Sequence, residues 1–134
     1  MSCCTVIPAP RSRNRSAEQL QERLLAFAAS ACVHARRVPD HLTTDPIIQQ
    51  LVRSATSPAA NYAEARAALS RRDFIHKMGI GLKELRETQV WLELLRRLDD
   101  PSGVSKLAAE ANELTAIFVA SINTARRGLA VRQP

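Results

Sequence analysis

The chain is short of the residues that build sheets, cages and catalytic loops. Of its 134 residues 4% are aromatic, and only four are Gly. Val, Ile, Thr and aromatics are too scarce for the many short strands of a sandwich or barrel. Three cysteines, at 3, 4 and 32, give an odd count with two adjacent, which makes no disulfide framework and suits a reducing, cytoplasmic setting. The most apolar stretch, Leu24 to Val33, has ten residues and contains Ser30, against the ~20 that a membrane span needs, so no membrane partner is expected. Met1 to Pro10 has no positive n-region and its apolar patch is broken by prolines, which is not the pattern of a signal peptide. Phosphate-cradling glycine loops and nucleophile elbows are missing, and Cys3-Cys4 has no nearby His for a zinc site. A carboxylate metal centre in a helical bundle needs Glu-x-x-His on two helices. Asp73 to His76 supplies a single Asp-x-x-His at a helix start, so neither a metal, a cofactor nor an enzyme's constellation is expected.

What is present is helix. The chain is 46% hydrophobic and 24% charged, rich in Ala, Leu, Glu and Arg, which are strong helix formers, and its length suits one domain. Four amphipathic segments follow from apolar spacings of three and four. The first runs from about Ser16, as N-cap, to about Arg37, with Leu20, Leu24, Phe27, Ala31 and Cys32 on one stripe. The second opens at Asp45-Pro46, with Asp as cap and Pro at the first helical position, and reaches about Leu69 through a kink at Pro58. Its apolar side is Ile48, Leu51, Val52, Ala55, Ala59, Tyr62 and Ala63. Ser70 caps the third, which carries Phe74, Met78, Leu82, Leu85, Leu92 and Leu95 and ends at Asp99-Asp100-Pro101. The fourth, from about Ser102 to Arg127, buries Val104, Leu107, Ala111, Leu114, Phe118 and Ile122, with Gly128 as the residue just past its end. Short connections make these an all-α, up-down-up-down four-helix bundle over 16–127, flanked by flexible basic tails at 1–15 and 128–134.

The charge is unevenly placed. The formal net charge is +6, from 19 Lys and Arg against 13 Asp and Glu. Residues 1–15 contribute +3 through Arg11, Arg13 and Arg15, and residues 126–134 another +3 through Arg126, Arg127 and Arg132, which leaves 13 of each sign between them. In an up-down bundle one end collects both tails and the turn between the second and third helices. Arg11, Arg13, Arg15, Arg66, Arg71, Arg72, Arg126 and Arg127 are therefore candidate nucleic-acid contacts, through phosphate and not base. The competing reading is that arginines near helix C-termini complement the dipole and that charged tails aid solubility. Arg36, Arg37, Arg96 and Arg97, at the other end, are offset by Asp40, Asp45, Asp99 and Asp100.

A polar stripe on the second helix, Arg53, Ser57, Asn61 and Glu64, is either solvated surface or a contact with a partner; Glu84 and Glu87, beside Trp91 on the third, suit ion pairs with Arg53 or Arg86. The run Leu51-Val52-Arg53-Ser54-Ala55-Thr56-Ser57-Pro58-Ala59-Ala60-Asn61-Tyr62-Ala63-Glu64-Ala65, followed by Ser70-Arg71-Arg72-Asp73-Phe74-Ile75-His76-Lys77-Met78, by Leu82-Lys83-Glu84-Leu85-Arg86-Glu87-Thr88 and by Trp91-Leu92, carries a resemblance. It resembles the bacterial four-helix-bundle proteins encoded in intervening sequences of large-subunit (23S) ribosomal RNA genes. These are related to the accessory protein of diversity-generating retroelements.

The resemblance implies a left-handed bundle assembling as a ring, typically a pentamer, and relatedness to that accessory protein, a basic pentamer that binds nucleic acid and a reverse transcriptase. It also implies that Arg53, Ser57, Asn61, Glu64, Lys83, Glu84 and Glu87 fix helix and subunit packing. Many members have Gly after the position of Glu64, where this chain has Ala65-Arg66, so the second helix is expected to run on before turning. The expectation is a non-enzymatic homo-oligomeric accessory protein that binds RNA, ahead of DNA, through its basic pole. The alternative is a scaffold for an enzyme such as a reverse transcriptase, without nucleic-acid binding of its own.

Overall fold

The structure is a computed structural model that describes residues 12–98 and 103–132. Arg11, Cys3, Cys4 and the Asp99-Asp100-Pro101-Ser102 stop lie outside the described residues. Four helices occupy it: α1 (Ser12–Arg37), α2 (Asp45–Arg66), α3 (Arg71–Leu98) and α4 (Val104–Ala130). Among the described residues there is no strand, and no helix is long and apolar enough to cross a membrane. At 1.5 Å per residue the helices are roughly 33–42 Å long.

Consecutive helices run antiparallel. Arg71 meets Gly128, Gly81 meets Phe118 and Gln89 meets Asn112, so position falls along α4 as it rises along α3. On α2 and α3, Ser54 meets Thr88 and Glu64 meets Lys77 in the same sense. Each helix packs against two neighbours in the order α1, α2, α3, α4 and back to α1. The seam between α1 and α4 is the most open of the four. A groove of about 520 Å³ lies in it, and the ion pair from Arg23 to Glu110 and Glu113 crosses it.

The core is mainly aliphatic, with three aromatic rings. Leu24, Phe27 and Ala31 enter from α1; Leu51, Ala55, Ala59 and Tyr62 from α2; Met78, Leu85, Leu92 and Leu95 from α3; Val104, Leu107, Ala111, Leu114, Phe118 and Ile122 from α4. Phe74 and Leu82 are only half-buried, and Ala63 is exposed. The core side of α2 is instead completed by Ser54, Pro58 and Ala65, which moves its buried stripe toward α3. Ser54 and Thr88 are both fully buried, their hydroxyls 2.9 Å apart between α2 and α3. Each also lies near a carbonyl of its own helix, Leu51 at 3.3 Å and Glu84 at 2.8 Å. One hydroxyl therefore donates across the helix pair while the other closes on its own backbone, and neither is left unsatisfied.

The helix ends depart from the sequence expectation in four places. α1 starts at Ser12, not Ser16, so Arg13 and Arg15 sit on its first turn instead of in a tail. Thr44 precedes α2 without a side-chain cap, and the Asp45 carboxylate accepts the backbone N–H of His41 at 3.0 Å. α2 stops at Arg66, not Leu69: the N–H of Ala67 bonds to the carbonyls of Ala63 and Glu64, and that of Ala68 to Ala65. These short bonds tighten the last turn without any glycine. Gly128 is inside α4, which continues to Ala130, and no glycine has positive φ among the described residues. The Ser70 cap does form, with its Oγ accepting the N–H of Asp73 at 3.0 Å.

Two glycines provide room instead of chain reversal. A Cβ on Gly81 would stand 2.7 Å from Cε2 of Phe118, a ring with no solvent exposure. A Cβ on Gly128 would collide with the guanidinium of Arg71, the free end of an exposed side chain. Gly81→Ala should therefore destabilise by about 1–3 kcal/mol, because the ring cannot move without repacking. Gly128→Ala should be neutral or stabilise by up to ~1 kcal/mol through helix propensity, because Arg71 swings aside. Chemical denaturation followed by circular dichroism checks both, and equal losses would contradict the distinction.

Candidate nucleic-acid interface

One end of the bundle gathers the start of α1, the end of α2, the start of α3 and the end of α4. There the structure brings together Arg13, Arg15, Arg66, Arg71, Arg72, Arg126 and Arg127, all exposed, with Arg132 just beyond. None of them is in a salt bridge among the described residues. Arg66 reaches only Asn14 Oδ1, at 3.4 Å, and Arg127 only Thr124 Oγ1, at 3.3 Å. At the opposite end Arg36 and Arg37 are likewise exposed and outside the salt bridges, but Arg96 and Arg97 both bind Glu93, at 2.8 and 2.7 Å, and together hold its carboxyl down to about 2.

Helix polarity separates these arginines into two groups. Arg66, Arg126 and Arg127 are at or near C-terminal ends, where a cation complements the dipole. Arg13, Arg15, Arg71 and Arg72 are on first turns, where a cation opposes it by ~0.3–1 kcal/mol each. α1 has no acid in its first turn to offset this; α3 has Asp73. Arg71 is partly relieved because its guanidinium lies over Gly128, in the last turns of α4. Dipole complementarity thus accounts for three of the seven, and solvated tails for none of those lying on helices.

The packing residues form separate small contacts along α2 and α3. Arg53 donates to Glu84 at 3.1 Å and to Glu87, and Glu87 also accepts the Trp91 Nε1–H at 3.1 Å. Arg86 takes no part in this cluster. The Arg53 and Trp91 hydrogen bonds hold the Glu87 carboxyl below the usual carboxylate range. Asn61 turns back onto its own helix, donating to the carbonyl and Oγ of Ser57. Glu64 pairs with Lys77 at 2.6 Å, while Lys83 is exposed and outside these contacts. Sequence reasoning overlooked Lys77, Arg23 with its two glutamates, and the Ser54–Thr88 pair. The signal for that pair was available: Ser54 is three residues after Leu51, and Thr88 three after Leu85.

A second cavity of about 650 Å³ lies at the end opposite the arginines, lined by His34, Asp40, His41, Leu95, Leu98 and Gly103. Burial and the nearby Arg37 charge hold the His34 imidazole below its ordinary value. No three His, Cys, Asp or Glu side chains come together to hold a metal ion among the described residues.

These features define an all-α bundle with one cationic end and one charge-balanced end. Residues 19–120 match the family model of the 23S rRNA-intervening sequence protein, and the chain belongs to that family. The match includes the Leu51–Leu98 motifs and extends over most of α1 and α4. A crystal structure of a protein with unknown function from the S23 ribosomal protein family of Bacteroides thetaiotaomicron VPI-5482 is similar at 31% identity and a TM-score of 0.71. That similarity covers 77% of this chain and 97% of the other. No curated protein matches the chain.

Because Glu87 is held low, its ion pair stabilises the folded chain above the ordinary carboxylate value of 4.5 and loses that effect as pH falls through the lower folded value. Glu87→Gln should lower stability near neutrality by up to ~1 kcal/mol, since the pair is partly exposed, leave it unchanged below the folded value, and so flatten the acid limb by that same amount. Thermal melts across that pH range test this; an unaltered acid limb would remove Glu87 from the account.

Proposed function

We propose that this protein is a non-enzymatic, homo-oligomeric accessory protein of the cytoplasm whose cationic pole binds RNA through phosphate. The observation that carries the reading is the set of unpaired arginines on the first turns of α1 and α3, where helix dipoles disfavour them. A cluster that works against its own helices gains from an anion supplied by a partner. Phosphates along one strand present that charge at a spacing that several arginines meet together.

Assembly is the second part of the reading. Copies form a ring of left-handed bundles, a pentamer, and another copy covers the α1–α4 seam. Its support is the groove there, with Val33 in its lining at 41% exposure and Leu25 on the same helix at 50%. In such a ring the poles of all copies share one face, which multiplies the contacts per strand. Light scattering should give about five times the 14.8 kDa chain mass, and a monomer at micromolar concentration would contradict the ring.

Fluorescence anisotropy with labelled RNA at about 50 and 200 mM salt should show a ~10³-fold or greater loss of affinity across that range. Reversing Arg71, Arg72, Arg126 and Arg127 to Glu should abolish binding without lowering the melting temperature. Reversing Arg71 and Arg72 relieves the α3 dipole while reversing Arg126 and Arg127 opposes that of α4, so the two effects offset. No binding at low salt would leave the scaffold for a partner enzyme, such as a reverse transcriptase, as the function of the pole.

A further inference from the structure

The cationic end also carries two aliphatic side chains that no part of the fold covers. Leu69, in the connection between α2 and α3, is 99% exposed, and Val131, one residue past α4, is 86% exposed. Leu69 stands between Arg66 and Arg71-Arg72, and Val131 between Arg127 and Arg132. Arg71, lying over Gly128, ties the two segments together. A fully exposed leucine stabilises nothing in the folded chain, and the turn needs none: Ala67, Ala68 and Ser70 supply its hydrogen bonds.

Building on the proposed phosphate reading, we infer that the RNA bound at this pole is unpaired, with base faces packing on Leu69 and Val131 while the surrounding arginines hold its phosphates. A continuous duplex offers arginines its phosphates but stacks its base faces out of reach along its length, whereas an unpaired strand presents those faces throughout. Aliphatic side chains are used elsewhere as wedges against bases. Leu69 and Val131 donate and accept no hydrogen bonds through their side chains, so they favour unpaired over paired RNA without selecting a sequence.

Leu42 provides an internal comparison. It is 93% exposed, but it lies in the α1–α2 connection at the charge-balanced end, beside His41 and close to Asp40 and Asp45. Exposure of an aliphatic alone gives it no ligand, because the arginines at that end are offset by Asp40, Asp45 and the Glu93 that binds Arg96 and Arg97.

The test titrates the full-length chain with a labelled unstructured strand of about 20 nucleotides and with the blunt duplex formed with its complement, at one salt concentration. The expected result is about tenfold tighter binding of the strand. Leu69→Ser with Val131→Ser should remove that preference and leave duplex affinity and the salt dependence on each ligand unchanged, while Leu42→Ser alters nothing. Equal affinity for strand and duplex, with the double variant silent, would overturn the inference and leave the phosphate reading standing. Binding to neither would overturn the phosphate reading itself. Capture by phosphatidylserine vesicles that is lost in the double variant, with no preference for the strand, would assign the pole to a lipid surface and overturn both.

Discussion

Phe118 against Gly81 is the contact on which the arrangement of the bundle depends. The ring is fully buried, and a single added carbon on α3 would meet it at 2.7 Å. Tyr62 of α2 packs on the same ring, centroids 6.0 Å apart and tilted by 46°. One side chain of α4 thus sets the relative position of three helices. Sliding α3 by one residue would place Ile80 or Leu82 at the gap, and neither leaves space for the ring. The register so set is felt at a distance: ten residues back along α3 and ten forward along α4, or about 15 Å, Arg71 meets Gly128.

That register decides the electrostatics of the ends. Antiparallel packing puts each helix start beside its neighbours' ends, so a cation on a first turn can reach a carbonyl-rich last turn, as Arg71 does. Arg13, Arg15 and Arg72 make no such contact among the described residues and remain on unfavourable turns. At the far end Glu93 binds both Arg96 and Arg97, whereas the arginines of the cationic end have no carboxylate partner among the described residues, so the two ends differ in ion pairing although both are arginine-rich. The ion pairs on the flanks are of another kind. Arg53 is 49% exposed and contributes orientation between α2 and α3 more than stability, since exposed pairs are worth ~0–1 kcal/mol.

The bundle is also asymmetric in how tightly it is closed. The α2–α3 pair holds a buried Ser54–Thr88 contact, two ion-pair clusters and a contact between Asn61 and Gly81. The α1–α4 seam has a groove and the cluster around Arg23 in place of such packing. Membership of the 23S rRNA-intervening sequence family, together with the fold shared with the S23-family protein, places these features on a common scaffold. The charge of its ends and the exposed Leu69 and Val131 are read from this chain's own residues.

By itself the sequence determined the elements. Apolar residues at spacings of three and four mark α1 to α4, Ser70 declares its cap three residues before Asp73, and the run of arginines after Thr124 announces a basic end. These are properties of a few neighbouring residues, and they survive folding unchanged. Only the tertiary structure decided which groups meet. Glu64 takes Lys77 and not Lys83, Ser54 finds Thr88, and Gly128 proves to be room for Arg71 and not a helix terminator. The extension of α1 back to Ser12 turns Arg13 and Arg15 from tail charges into helix charges. The reason is the same in each case: a partner on another helix is chosen by rotation and register, and those are set by core packing that no local stretch of sequence contains.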